Sequence, residues 1–222
     1  MQTAIDDHQQ SVKHKFPAIT PRQAKVFLII THAAGVIGLL SPARTLFQWF
    51  TPFHLLLTVS LLLYFHRDWR ASFWLFAGAV MLIGYWVEVL GVHTSLIFGS
   101  YAYDTTLGFK VFDVPLMIAV NWLLLTYVCG SVVHRLSINK WQKVLLAALL
   151  MVGLDYLIEP VAIAYNFWHW SSLHPPLHNY LGWLFTASLV QMLFHLLPFK
   201  KSNPLALFLL IIQAAFFVAL QL

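Results

Sequence analysis

The chain has 222 residues, 60% of them hydrophobic and only 9% charged, with 13 Lys and Arg against 8 Asp and Glu. A mean hydropathy of +0.75 is far above that of a soluble domain and specifies an integral membrane protein. The single cysteine, Cys129, excludes an internal disulfide and a thiolate metal cluster. The net charge of +5 reflects membrane topology and implies no nucleic-acid partner.

Residues 1–23 are polar and contain no short apolar core with a small-residue cleavage site, so no removable signal peptide is expected. They should form a cytoplasmic segment ahead of one transmembrane domain, 24–222. Apolar runs then predict helices at about 24–40, 46–65, 72–91, 115–133, 143–163, 179–197 and 204–221. Ser41-Pro42, the charged stretch 66–71, Pro115, Ser137 to Lys140, Pro175-Pro176 and Pro198 to Pro204 punctuate them. The expected fold class is all-α: a polytopic membrane protein of about seven transmembrane helices. Eleven basic residues, among them Arg22, Arg70, Arg135 and Lys200, fall on one side of that arrangement; only Arg44 and Lys110 fall on the other. The Lys/Arg excess marks the cytoplasmic side, which puts the N-terminus inside and the C-terminus outside a cell membrane. The two long outer loops, 92–114 and 164–178, are rich in aromatics, Gly and His, and are expected to cap a pocket.

Five of the eight carboxylates lie where lipid disfavours them: Glu88, Asp155 and Glu159 in apolar runs, Asp104 and Asp113 in the first long loop. Holding an acid there costs a few kcal/mol, which marks such residues as functional candidates. The spacing of four puts Asp155 and Glu159 on one helix face. Two like charges so close resist joint ionisation, so the pair should offer an acid and a base together. The bland alternative is that each acid pairs with a cation. Arg44 and Lys110 are too few for five acids, although histidines can substitute.

Of the eleven histidines, His93, His169, His174 and His178 share the outer side, and His32 and His54 sit in apolar helices. Pro175-Pro176 breaks any helical register between His174 and His178, and no dense HxxxH set exists, so no metal is expected. Trp86, Tyr101, Tyr103, Trp122, Trp168, Trp170, Tyr180 and Trp183 form either an interfacial belt or a pocket wall able to stabilise a cation. No Gly-rich phosphate loop, DDxxD cluster or GxSxG elbow is present. An internal echo links helices 3–4 with 5–6: an acid, an aromatic loop, a Pro-Leu step (Pro115-Leu116, Pro176-Leu177), then Asn and Trp (Asn121-Trp122, Asn179 with Trp183).

Two stretches carry a family likeness. The first is Glu88-Val-Leu-Gly91-Val-His-Thr94-Ser-Leu-Ile-Phe98-Gly99-Ser-Tyr101-Ala-Tyr103 with Leu107-Gly108 and Val114-Pro115-Leu116. The second is Asp155-Tyr-Leu-Ile-Glu159-Pro160 with Trp168-His-Trp170 and Pro176-Leu-His-Asn179-Tyr-Leu-Gly182-Trp183. Together they resemble the carotenoid biosynthesis hydratases over roughly residues 80–185. Ser95 replaces a Gly and Glu159 an Asp of the family pattern. The resemblance implies acid-catalysed addition of water to the terminal double bond of a linear carotene end group, through a tertiary cation and without a cofactor. Lycopene, γ-carotene or a related carotenoid, together with water, would be the substrates; the bilayer and other pathway enzymes would be partners. The implied roles are Asp155 as acid, with Glu88 or Glu159 ionised to steady the cation. Asn121 and Asn179 would hold the water. Trp168, Trp170 and Trp183 would flank the cation, and Trp122, Tyr101 and Tyr103 would complete the substrate site. A carotene cyclase begins with the same protonation and is the nearest alternative. A proton-coupled carrier would spread its acids across the membrane depth, which these do not do.

Overall fold

The computed structural model describes residues 19–172 and 174–222, so of the polar segment 1–23 only 19–23 are within the described residues. Among the described residues, seven helices occupy the expected places: α1 Pro21–Leu40, α2 Arg44–Tyr64, α3 Ala71–Thr94, α4 Met117–His134, α5 Lys140–Ala164, α6 Leu177–Leu196 and α7 Ala206–Ala219. Five of them, α1 to α5, are long and apolar enough to cross a membrane. Helix α6 has 20 residues but carries Asn179, Gln191 and His195, and α7 has 14 residues. The chain is an all-α membrane protein in class.

Local chemistry sets the helix ends. Thr20 and Gln23 cap each other's backbone N–H groups at the start of α1, with Pro21 at its first turn, and Asn139 and Gln142 do the same for α5. Helix α3 ends at Ser95, in the left-handed region at φ 57°. Glycine takes that conformation without a Cβ penalty, which explains why a Gly suits this position and gives the serine a small strain cost. Helix α4 is central, packing against α2, α3, α5, α6 and α7. Its core face includes Trp122, Leu124, Tyr127 and Val128, all fully buried.

One end of the bundle gathers the basic loops. Asp68 accepts from the Lys200 backbone N–H (2.7 Å) and pairs with Arg70, Arg135 donates to the Asn203 carbonyl, and the Asn203 amide donates to the Leu62 carbonyl. His66 is buried here, stacked on Phe73, with one ring nitrogen 2.6 Å from the Tyr127 hydroxyl and the other 2.7 Å from the Asp68 carbonyl. Burial holds its pKa below 6.5, so the folded state keeps it neutral. The stability it contributes is complete above the unfolded value and is lost as pH falls below it. The melting temperature in detergent should therefore drop between about pH 8 and pH 5, and drop less in His66→Gln. Equal pH dependence in both proteins would refute this.

The all-α class holds with one addition, at the opposite end. The two aromatic loops hold four short strands: β1 Tyr101–Tyr103, β2 Lys110–Val111, β3 Val114–Pro115 and β4 Trp168–Trp170. Strands β2 and β3 form a hairpin whose turn residues, Phe112 and Asp113, both have positive φ. Strands β1 and β4 come from different loops and pair antiparallel, Tyr101 opposite Trp170 and Tyr103 opposite Trp168. Alternation along a strand sends Tyr101, Tyr103, Trp168 and Trp170 to one face, while His169 faces out. The loops therefore form one joined cap.

Candidate functional site

Beneath that cap, Glu88 from α3 and Asp155 and Glu159 from α5 are buried, at 4%, 1% and 2% exposure. Among the described residues none of the three forms an ion pair; their partners are neutral donors. The Glu88 carboxylate accepts from the Tyr101 hydroxyl (2.5 Å), the Tyr103 hydroxyl (2.9 Å) and the Trp122 indole N–H (3.1 Å). Glu159 accepts from the indole N–H groups of Trp168 (3.0 Å) and Trp170 (2.9 Å), with the Asn179 amide at 3.4 Å. Asp155 has one donor, the Asn179 amide at 3.1 Å. Burial, and then the Glu88 carboxylate, hold the Tyr101 and Tyr103 phenols well above their ordinary pKa, so both remain O–H donors.

The internal echo now has a geometry. Each cap strand donates to the acid of its own half, Tyr101 and Tyr103 to Glu88, Trp168 and Trp170 to Glu159. Trp122 and Trp183 stack face to face across the middle, with ring centroids 4.3 Å apart and planes 16° from parallel. Gly84-Tyr85-Trp86-Val87-Glu88 on α3 aligns without a gap with Asp155-Tyr156-Leu157-Ile158-Glu159 on α5, sharing the Tyr and the Glu. Asp155 thus stands where the other half has Gly84. That glycine admits the Trp122 ring, which any Cβ there would overlap. Gly182 does the same for the cap: a Cβ would collide with the Ile97 carbonyl of the loop lying on α6.

The structure brings Glu88, Asp155, Glu159, Asn121, Asn179, Trp122, Trp168, Trp170, Trp183, Tyr101 and Tyr103 around one cavity of about 30 Å³. Such a space holds one or two waters. Phe98 and Ile118 also line it, and neither is distinguished in the sequence from other apolar residues. Asn179 is tied to the acids, whereas the Asn121 amide makes no hydrogen bond among the described residues. Asp104 and Asp113 stay outside and take histidine partners: His169 lies 3.2 Å from Asp104 and His93 lies 3.7 Å from Asp113. Trp86 is 47% exposed and does not line the cavity. A second cavity of about 300 Å³, lined mostly by apolar groups of α1, α2, α4, α5 and α7, adjoins the first and shares Ile118, Asn121 and Trp168 with it.

A family model described as "Carotenoid biosynthesis protein" matches residues 49–221, most of the chain and every residue around the acid cavity. The chain belongs to this family. Among curated proteins it is similar to bisanhydrobacterioruberin hydratase of Haloarcula japonica, 28% identical over 129 residues. That alignment covers 52% of this chain and 42% of the relative, so the chain spans less than half the length of the hydratase it matches. No solved structure matches. Membership of the family makes a carotenoid-modifying role the frame for the cavity, and α1 is the one helix that lies outside the matched residues.

Proposed function

We propose that the protein is a carotenoid hydratase, adding water across the terminal double bond of a linear carotene end group to give a tertiary alcohol. The observation that carries this is three buried carboxyls, held only by neutral donors, around a space sized for water and opening beside a larger apolar cavity. The end group enters from the larger cavity, since about 30 Å³ admits water and no isoprenoid.

Hydrogen-bond donors stabilise a carboxylate, and Glu88 and Glu159 each have three against one for Asp155. Asp155 is therefore the group that holds the proton. It delivers that proton to the less substituted alkene carbon, and the tertiary cation forms beside the ionised Glu88 and Glu159. The indoles of Trp168, Trp170 and Trp183, which line the cavity, add to its stabilisation. Water held by Asn121 attacks the cation through its oxygen and gives up a proton to Glu159. One turn of α5 separates Glu159 from Asp155 and both line the same cavity, so the proton returns to Asp155 through water in that cavity, with Asn179 holding the two carboxyls in place. No redox or cofactor step is required.

If the basic end of the seven-helix bundle is cytoplasmic, the acid cavity opens toward the outer leaflet, where a carotene in the bilayer presents its end. Expression in hosts producing lycopene or γ-carotene, followed by pigment mass analysis, tests the reaction. A new pigment heavier by one water is expected. A pigment of unchanged mass but altered spectrum would mean that an internal double bond captured the cation, which is cyclisation and refutes hydration.

A further inference from the structure

The larger cavity has a polar corner that the hydration reading does not use. His32 of α1 and His54 of α2 meet edge to face, ring centroids 4.6 Å apart, and Gln213 of α7 lines the same cavity. His32 Nδ1 lies 2.8 Å from the Leu28 carbonyl, which can only accept, so Nδ1 carries the hydrogen. In a neutral ring Nε2 is then an acceptor. The Thr31 hydroxyl donates to the same carbonyl, so its oxygen accepts from His54 Nε2 at 3.2 Å and leaves His54 Nδ1 as an acceptor. The hydroxyls of Thr51 and Thr58 are spent on the Phe47 and His54 carbonyls. Gln213 Oε1 is itself fully buried and presents no acceptor to the cavity. No carboxylate lines this cavity, so nothing there favours charged imidazoles.

The two ring acceptors at the edge of this apolar space, His32 Nε2 and His54 Nδ1, have no protein donor among the described residues. Buried polar groups left unmatched are costly, which points to a ligand that brings an O–H. We propose that this cavity is a binding site for an isoprenoid alcohol: a branched apolar chain whose hydroxyl donates to His32 or His54. Its volume, about 300 Å³, lies at the low end for small-molecule sites and suits an end group. The proposal goes beyond the hydration reading and does not need turnover. An enzyme that reads a hydroxyl here would distinguish an end group already bearing one from a pure hydrocarbon.

The probe is a saturated matched pair, tetrahydrolinalool and the alkane of the same skeleton, titrated calorimetrically into the full chain in detergent. Neither has a double bond, so failure of hydration leaves the result untouched. The alcohol should bind about tenfold more tightly than the alkane, the worth of one well-made hydrogen bond. His32→Phe and His54→Phe should narrow that ratio while leaving alkane affinity in place, which also shows that the cavity is intact. Equal binding of the pair by the unaltered chain, or binding of neither, overturns the proposal. A preference that survives when both rings are replaced together also overturns it, because neither ring acceptor is then present.

Discussion

Asp155→Asn should remove the hydroxylated pigment from a carotene-producing host, with a fall of about 10²–10⁴ in hydration rate. The substitution is close to isosteric, and the asparagine carbonyl still accepts from Asn179, which lies 3.1 Å from the native carboxylate. What it lacks is an acidic proton. Asp155 is the acid with fewest donors and the one without a counterpart in the other half of the site, where Gly84 stands. The two framework acids, Glu88 and Glu159, are each clamped by a pair of aromatic donors from the cap. An acid that must lose and regain a proton each cycle gains from being the unclamped member. Asp155→Glu should keep part of the activity, since it restores the proton at a slightly different reach. Full activity in Asp155→Asn together with none in Glu159→Gln would move the acid role to Glu159.

The helices and the acids were legible in the sequence, for different reasons. Long apolar runs bounded by Pro, Gly and charge place all seven helices to within a few residues, because lipid leaves the backbone no alternative to internal hydrogen bonding. The four-residue spacing places Asp155 and Glu159 on one face. The approach of Glu88 to them depends on how α3, α4 and α5 pack, and no local pattern encodes that. The pairing of β1 with β4 was also missed, although its signal is present: Tyr101-Ala-Tyr103 and Trp168-His-Trp170 both alternate with the period of a strand. Three-residue strands are too short for that signal to stand out within a loop. The aromatic residues offered two readings, belt or pocket wall, and burial decides them one by one. Trp122 is fully buried, and Trp86 is half exposed. His32 and His54, polar rings in apolar helices, line the larger cavity.

Glu88→Gln separates charge from architecture at the centre of the site. Glu88 accepts from Tyr101, Tyr103 and Trp122, which leaves about one lone pair for water, so its main value to the reaction is its fixed negative charge. Glutamine can be held by the same three groups. Its carbonyl accepts from Trp122, and its two N–H bonds point at phenol oxygens, which can accept as well as donate. The fold should therefore survive, with the melting temperature lowered by only a few degrees, as expected for about 1 kcal/mol in a chain of this size. Hydration should fall by about 10²–10³, the usual cost of removing one preorganised electrostatic partner of a transition state. Glu88→Ala, by contrast, strands three buried donors and should lose both stability and activity. Tyr103→Phe removes a single donor and leaves the charge, so it should keep most activity. Near-normal hydration in a well-folded Glu88→Gln would mean that the cation is steadied by Glu159 and the tryptophan faces alone, and that Glu88 serves only to pin the cap to α3.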